Sequence, residues 1–540
     1  MGTPDSSSAD TYGAPAADLA PRRSLARSPL LLVALICAIY ASACLVHVTS
    51  PFLRHQESVI ARYASFARNF ARLGCLETRF TMLLVNCPDM TVFGDWQEHL
   101  YPQRPPISAI ALSLWVRVLG DAEWVIRVNL IVVGIATIVA FYLVAVKLLD
   151  GRWALLGTAV FALNPMFLYF SIIAAHYAYG LLLSLLAWGA ALRVQEGRRY
   201  VVAMFCFLVL GCFTDWPAYF GVLSLALYFW KGWRSGISYA LCGAAVACFA
   251  LILLHRWWLD PVTGRFLRRL LQVGVHHAQV GGISPVRYIY SEVRELGLYF
   301  TVGISIAAAV GTTVLLRRRT WPPLLFGLFG LEELLFPRQA YEHDYLTFVL
   351  APFMALTATV GFQTLWAARR ARPVAVALAL AACVQSGWVA GNRLTRMGGN
   401  EPGWQSAVAI RSHTLPRNRV LLAMDNSLVD YYSDRYVAVL DGITKSLSLS
   451  PKGPVSIRGM DDLLGYLEKP DPGFDVVVVG AAESALGAVS FFRANGIGND
   501  ELEKFWFYRE DHPLRRLLRS RAAREESHGA YVFYWLRPPG

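Results

Sequence analysis

Charged side chains are scarce in this chain. Asp, Glu, Lys and Arg make up 16% of its 540 residues, against 55% hydrophobic residues. A soluble protein of this length would need more charge to cover its cores and linkers. Nucleotide-binding signatures are missing too: there is no Walker motif and no G-x-G-x-x-G. H-E-x-x-H, G-x-S-x-G and C-x-x-C are also absent, which removes the common zinc-protease, serine-hydrolase and dithiol readings. His276 and His277 are adjacent, a poor geometry for two ligands on one metal. No metal and no cofactor is therefore expected.

What the chain does have is apolar runs of about twenty residues, the length that crosses a bilayer. About eleven are expected, at 29–48, 124–147, 152–171, 174–193, 199–214, 216–231, 235–257, 296–316, 321–337, 344–367 and 373–392. The tail at 1–28, rich in Ser, Ala, Pro and Gly, reads as disordered and cytoplasmic. The short loops between spans segregate by charge. Arg22, Arg23, Arg27, Lys147, Arg152, Arg193, Arg198, Arg199, Lys231, Arg234, Arg317, Arg318, Arg319, Arg369, Arg370 and Arg372 all fall on one side, with Arg338 the exception on the other. The positive-inside rule makes that side cytoplasmic. The net charge of +12 is thus a topology and lipid signal, and no nucleic-acid partner is expected. Arginine greatly outnumbers lysine, a composition associated with GC-rich bacterial genomes.

Three segments are expected outside the cytoplasmic membrane: a loop at 49–123, a second at 258–295, and everything from 393 to 540. In the first loop Val59, Tyr63, Phe66, Phe70 and Leu73 recur at helical spacing. Pro105–Pro106 and Gly120 bracket a second helix. Neither is apolar all round, so both are expected to lie along the membrane surface. The C-terminal segment alternates short apolar runs ("RVLLAM", "YVAVL", "DVVVVG") with helical patterns. That predicts a small α/β domain with a mainly parallel sheet. Of nine cysteines, only Cys75 and Cys87 lie outside the spans. A disulfide between them is expected there, with two free thiols as the alternative.

The polar residues at the outer span ends are Glu57, Arg104, Asp215, Arg338, Glu342, His343 and Asp344. Singly, each reads as an interfacial residue in water. Their setting resembles the C-type, polyprenyl-phosphate-sugar-dependent glycosyltransferases, and among them the bacterial family 39 mannosyltransferase-like and aminoarabinose transferase-like proteins. The likeness runs from about residue 29 to 366. "HQESVIARYASFARNFARLG", "RPPISAIALSLWVRVLGDAEWVIRV", "FALNPMFLYFS", "TDWPAY" and "EHDYLTFVLAPF" carry it, in order. Glu57 stands where many relatives have Asp, Gln56 where others have a second acid, and Arg104 where His or Lys is frequent.

The chemistry this implies has few parts. The donor cannot leave the bilayer, so its anomeric carbon sits at headgroup depth. The acceptor hydroxyl needs a carboxylate to take its proton, and the departing phosphate needs a cation. Glu57 is the expected base. His55, Arg104, Asp215, Arg338, His343 and Asp344 are expected to bind substrate. The expected fold is an all-α polytopic one with surface helices and a C-terminal extracytoplasmic domain. The expected activity is transfer of a sugar from polyprenyl phosphate to a hydroxyl of a protein, lipid or envelope glycan at the outer face, with inversion. Two other classes fit parts of the pattern: a transporter or flippase of an anionic or lipid-linked substrate, and a non-catalytic scaffold for envelope assembly. A transporter tends to carry repeated halves, and none stands out.

Overall fold

The computed structural model describes residues 27–84, 100–101, 103–230, 235–262, 264–278, 284–396, 401–422, 427–441, 446–447, 460–469, 473–480, 513–528 and 531–537. The tail before residue 27, Cys87, the segment that follows "DVVVVG" and the Glu342 side chain lie outside them.

The chain opens with α1 (Arg27–Leu45). The first loop forms α2 (Glu57–Leu73), the two-residue strands β1 (Met82–Leu83) and β2 (Leu100–Tyr101), and α3 (Ile107–Leu119). There follow α4 (Glu123–Leu148), α5 (Gly151–Leu163), α6 (Pro165–Phe170), α7 (Ala175–Ala191), α8 (Arg198–Cys212), α9 (Pro217–Phe229) and α10 (Ser235–Leu259). The second loop forms α11 (Arg265–Ala278) and α12 (Pro285–Tyr299). The helical part closes with α13 (Val302–Arg317), α14 (Pro322–Leu325), α15 (Leu331–Leu335), α16 (Pro337–Glu342), α17 (Ala351–Ala367) and α18 (Arg372–Thr395).

Helix falls in every expected span, but not always as one helix. Among the described residues four stretches are long and apolar enough to cross singly: Glu123–Leu148, Gly236–Leu259, Asp344–Ala367 and Arg369–Thr395. The pair α12–α13, bent by 106°, makes a fifth if taken as one broken span. Proline explains two of the breaks. Pro165 ends α5, and Asn164 restarts the helix by accepting from the Phe167 N–H at 2.9 Å. Between Pro322 and Pro337 the expected span becomes α14, a 3-10 turn at Phe326–Gly330, and α15. Small residues set the closest crossing. A Cβ on Gly311 would lie 1.8 Å from the Thr357 carbonyl oxygen, and one on Gly361 would lie 1.9 Å from that of Ala307. The pairs Ala307/Gly311 and Thr357/Gly361 are each four apart, the spacing that brings α13 and α17 into backbone contact.

The C-terminal segment contributes α19 (Glu401–His413), β3 (Arg419–Leu422), α20 (Ser427–Ser433), β4 (Tyr436–Asp441), β5 (Ser446–Leu447), α21 (Met460–Leu467), β6 (Val476–Gly480), α22 (Pro513–Arg521), β7 (Arg524–His528) and β8 (Tyr531–Trp535). The sheet order is β5-β4-β3-β6-β8-β7. Only β4-β3-β6 is parallel; β5, β8 and β7 add antiparallel edges. The sheet is therefore mixed. Strands β7 and β8 follow each other closely in the chain, as antiparallel neighbours can, and β8 in turn pairs with β6.

One expectation about the first loop is corrected. Helix α2 is not laid out on a surface: 11 of its 17 residues are buried. Its cationic side faces protein. Arg72 is bidentate to Asp434 at 2.7 and 3.0 Å, and Arg68 Nε lies 2.5 Å from Asp121. Arg68 Nη1 also donates to the Tyr431 carbonyl at 2.7 Å. Helix α20, Asp434 just after it, and the loop before α4 thus supply the anionic and carbonyl partners that lipid headgroups or water would otherwise give.

Candidate functional site

Above the spans the helices leave a cavity of about 780 Å³. Among the described residues, α2 supplies Ser58, Val59, Arg62, Tyr63 and Phe66. The strand into α3 supplies Gln103 and Arg104, and α7 supplies His176. Trp216, Tyr219 and Phe220 come from the start of α9, and Phe249 and Leu253 from α10. Leu270, Leu271, Gly274 and Val275 of α11 form an apolar wall. Gln56, Tyr101, Glu332, Phe336, Gln339, His343 and Tyr345 complete it. Helix α11 thus turns two leucines and a valine to the cavity.

The polar wall is built by the break between α8 and α9. Pro217 begins α9 and leaves Asp215 and Trp216 in the connection. Trp216 Nε1 donates to the Gln103 carbonyl at 3.1 Å, and the Ile107 N–H donates to that of Phe213 at 3.3 Å. Those bonds fix the strand that carries Arg104. Arg104 Nη1 lies 2.6 Å from Asp215 Oδ1, with the side chains 11% and 0% exposed. Burial pushes the Asp215 carboxyl above the usual carboxylate range, against the pull of Arg104. Losing either partner of so buried a pair costs about 3–5 kcal/mol. His176 stacks on Tyr63 at 4.7 Å, with Nε2 3.9 Å from Asp215 Oδ2. His343 stacks on Tyr345 at 5.2 Å.

Glu57 is placed otherwise than expected. Its residue is 1% exposed and does not line the cavity. One oxygen accepts from the Arg54 N–H at 2.8 Å. The other accepts from Arg54 Nη1 at 3.2 Å and Arg127 Nη2 at 2.9 Å. Arg127 also donates to the carbonyls of Val48, Ser50 and Pro51. The cluster ties the first turn of α2 and the end of α1's loop to α4. This carboxylate is thus held by two guanidinium groups and lies off the cavity lining, where a base facing the cavity was expected. Its neighbour Gln56, in the left-handed region at φ 59°, lines the cavity instead.

The other expected residues divide into groups. Arg104 and His343 line the cavity, and Asp215 lies buried behind Arg104. His55 and Asp344 meet each other: His55 Nε2 is 2.7 Å from Asp344 Oδ2, Tyr299 donates to the same oxygen, and Arg393 Nη2 donates to Tyr299 at 2.6 Å. Neither His55 nor Asp344 lines the cavity. Arg338 is half-buried on α16 and outside the cavity lining. Cys75 is half-buried; its expected partner Cys87 lies outside the described residues. Among the described residues no group of three His, Cys, Asp or Glu side chains is arranged to hold a metal.

No family model matches this sequence, and no curated protein matches it. Solved structures do. ArnT from Cupriavidus metallidurans in the apo state shares 14% identity at a TM-score of 0.59, over 86% of this chain and 95% of that one. ArnT bound to undecaprenyl phosphate gives 12%, 0.57, 85% and 94%. The archaeal oligosaccharyltransferase AglB from Archaeoglobus fulgidus, in complex with an inhibitory peptide and a dolichol-phosphate, gives 12%, 0.56, 86% and 71%. The chain has the C-type glycosyltransferase fold. This is a multi-span membrane fold, and the likeness at these identities is one of fold.

Among the cavity residues that were not expected, three bear an ionisable guanidinium, imidazole or carboxyl group: Arg62, His176 and Glu332. Arg62 sits one helical turn from Ser58 on the face that also carries Val59 and Phe66, where an amphipathic reading treats it as solvated. His176 is hidden in an apolar run. For Glu332 a signal existed. "LFGLEELLFP" puts two carboxylates inside an apolar stretch, and an ionisable residue at such a position is expensive unless it faces a cavity or a partner.

Proposed function

We propose that this protein is an integral-membrane glycosyltransferase. It takes a sugar from a polyprenyl-phosphate donor at the outer face of the cytoplasmic membrane and passes it, with inversion, to an acceptor hydroxyl of a protein, lipid or envelope glycan. The observation that carries this reading is the cavity, which joins arginines to a lipid-compatible wall. Among the described residues Arg62 has no hydrogen-bond or ion-pair partner. Arg104 is held rigid by Asp215, and α10 and α11 present phenylalanine, leucine and valine opposite. A phosphate on a long isoprenoid asks for that pairing of cation and apolar surface. Two of the fold relatives named above hold a bound lipid phosphate, undecaprenyl phosphate in one and dolichol-phosphate in the other, both of this chemical class.

In this reading Arg62, Arg104 and His343 compensate the phosphate charge as the sugar leaves. Glu57 and Arg127 position α2, and the His55–Asp344 pair anchors the first loop to the start of α17. The N-terminus is cytoplasmic, the chain crosses about eleven times, and the segment from 393 onward is extracytoplasmic. The test has two arms. Purified protein in nanodiscs, examined by native mass spectrometry, is expected to retain undecaprenyl phosphate in preference to phosphatidylglycerol. Envelope glycans and glycoproteins from cells with and without the gene are expected to differ by one sugar. Equal binding of both lipids together with unchanged glycans overturns the reading.

A further inference from the structure

The reaction just proposed needs a proton acceptor on the cavity, and Glu57 is not there. Among the described residues that line the cavity, Glu332 is the only carboxylate. Its helix is inside out relative to a soluble one: Glu332 and Glu333 are 1% and 8% exposed, while Leu334 and Leu335 are 69% and 54% exposed. The leucines turn outward and the acids face protein. A carboxylate kept in such a place is costly, and an ordinary packing role does not need one.

Its contacts leave it half used. Tyr177 Oη donates to Glu332 Oε1 at 3.0 Å, while Oε2 is buried with no hydrogen-bond partner. Tyr177 is also the ring over which the Arg104 guanidinium lies, 5.6 Å from its centre. The tyrosine therefore stands between the carboxylate and the cation. One oxygen is oriented, the other is buried without a partner on a residue that lines the cavity, and the phosphate-binding group is one ring away. That is the arrangement a general base requires.

We propose, resting on the glycosyltransfer reading, that Glu332 is the catalytic base of this site. The acceptor oxygen forms the new bond to the anomeric carbon, and the bond from that carbon to the phosphate oxygen breaks. The bonding pair stays on the polyprenyl phosphate, facing Arg62 and Arg104, and the acceptor proton goes to Glu332 Oε2. Products are the glycosylated acceptor and polyprenyl phosphate, and no further reactant is needed.

The experiment uses the full chain, expressed from a plasmid in the gene-deleted cells. Glu332→Gln, Tyr177→Phe and the wild type are compared on two readouts. The first is the sugar restored to the envelope. The second is undecaprenyl phosphate bound by each purified protein in nanodiscs. Wild type is expected to restore the sugar. Glu332→Gln is expected to lose about 100-fold or more of the product rate while its lipid binding stays within about 3-fold. Tyr177→Phe, which leaves Oε1 unoriented, is expected to be slowed less, with binding unchanged. Restoration by Glu332→Gln at near the wild-type rate overturns the assignment, as does loss of lipid binding together with product, which makes Glu332 a structural residue. If wild type restores nothing and binds no undecaprenyl phosphate, the glycosyltransfer reading itself fails.

Discussion

Replacing Glu57 with glutamine keeps the side chain's size and takes one charge from between two arginines. Arg127 is 1% exposed at its side chain and Glu57 2%, with 2.9 Å between them. Coulomb attraction at that depth offsets the desolvation of both ions, and removing one partner leaves the other buried and uncompensated. The expected loss is on the order of 3 kcal/mol, since such truncations cost about 3–5 kcal/mol and the amide still accepts one bond from Arg127. Arg127→Met should cost more, because the carbonyls of Val48, Ser50 and Pro51 lose their donor as well. Thermal unfolding in a fixed detergent, scored by thiol-reactive dye, reads the stability. Turnover per folded molecule reads the chemistry. The structure expects Glu57→Gln to unfold several degrees earlier and to turn over within a few-fold of wild type. A general base behaves oppositely, with a loss of roughly 100- to 10,000-fold in rate. A variant with unchanged unfolding temperature and a 100-fold rate loss would refute the clamp and restore Glu57 as the base.

Three further outcomes are expected. Arg62→Ala should weaken undecaprenyl phosphate binding with no change in unfolding temperature, whereas Arg104→Ala should lower both, since it strands the buried Asp215; equal effects of the two on stability refute this division. Gly361→Ala should destabilise by about 1–3 kcal/mol through its clash with the Ala307 carbonyl, while Gly387→Ala, with nothing within 4 Å of its Cβ, should be neutral or stabilising in the same unfolding assay. The Asp434 carboxyl is raised by burial, but the Arg72 hydrogen bond and the charges of Arg68, Arg72 and Arg411 outweigh this and hold it below the usual range. A depressed folded value gives stability that is present above the unfolded carboxyl's value, near about pH 3.9, and is lost as pH falls through the folded one. The unfolding temperatures of wild type and Asp434→Asn should therefore differ most above the unfolded carboxyl's value and draw together as the pH falls below it; a gap that does not depend on pH excludes the charged bridge.

The one-dimensional pattern carried much of the fold. Apolar runs fix which segments are helical in a bilayer, because backbone polar groups there have no other partner than the helix itself. The short-loop arginines, the Pro-Pro start and glycine stop of α3, and the apolar strands β3, β4 and β6 are likewise local facts that can be read along the chain. Tertiary structure decided the rest. Whether a polar residue faces water, a cavity or another charge depends on what packs against it, and that packing joins positions far apart in sequence. Glu57 and Arg127 meet across 70 residues, Arg104 and Asp215 across 111, and Arg72 and Asp434 across 362. Helical spacing made α2 amphipathic but could not say that its arginines face α20. Nor could it say that Glu57 points into a clamp while its neighbour Gln56, turned by a left-handed backbone, points into the cavity. Glu332 was visible as a carboxylate in an apolar run. Only the approach of Tyr177 and the opening beside Arg104 make it a candidate for chemistry, because a general base is defined by which proton it can reach.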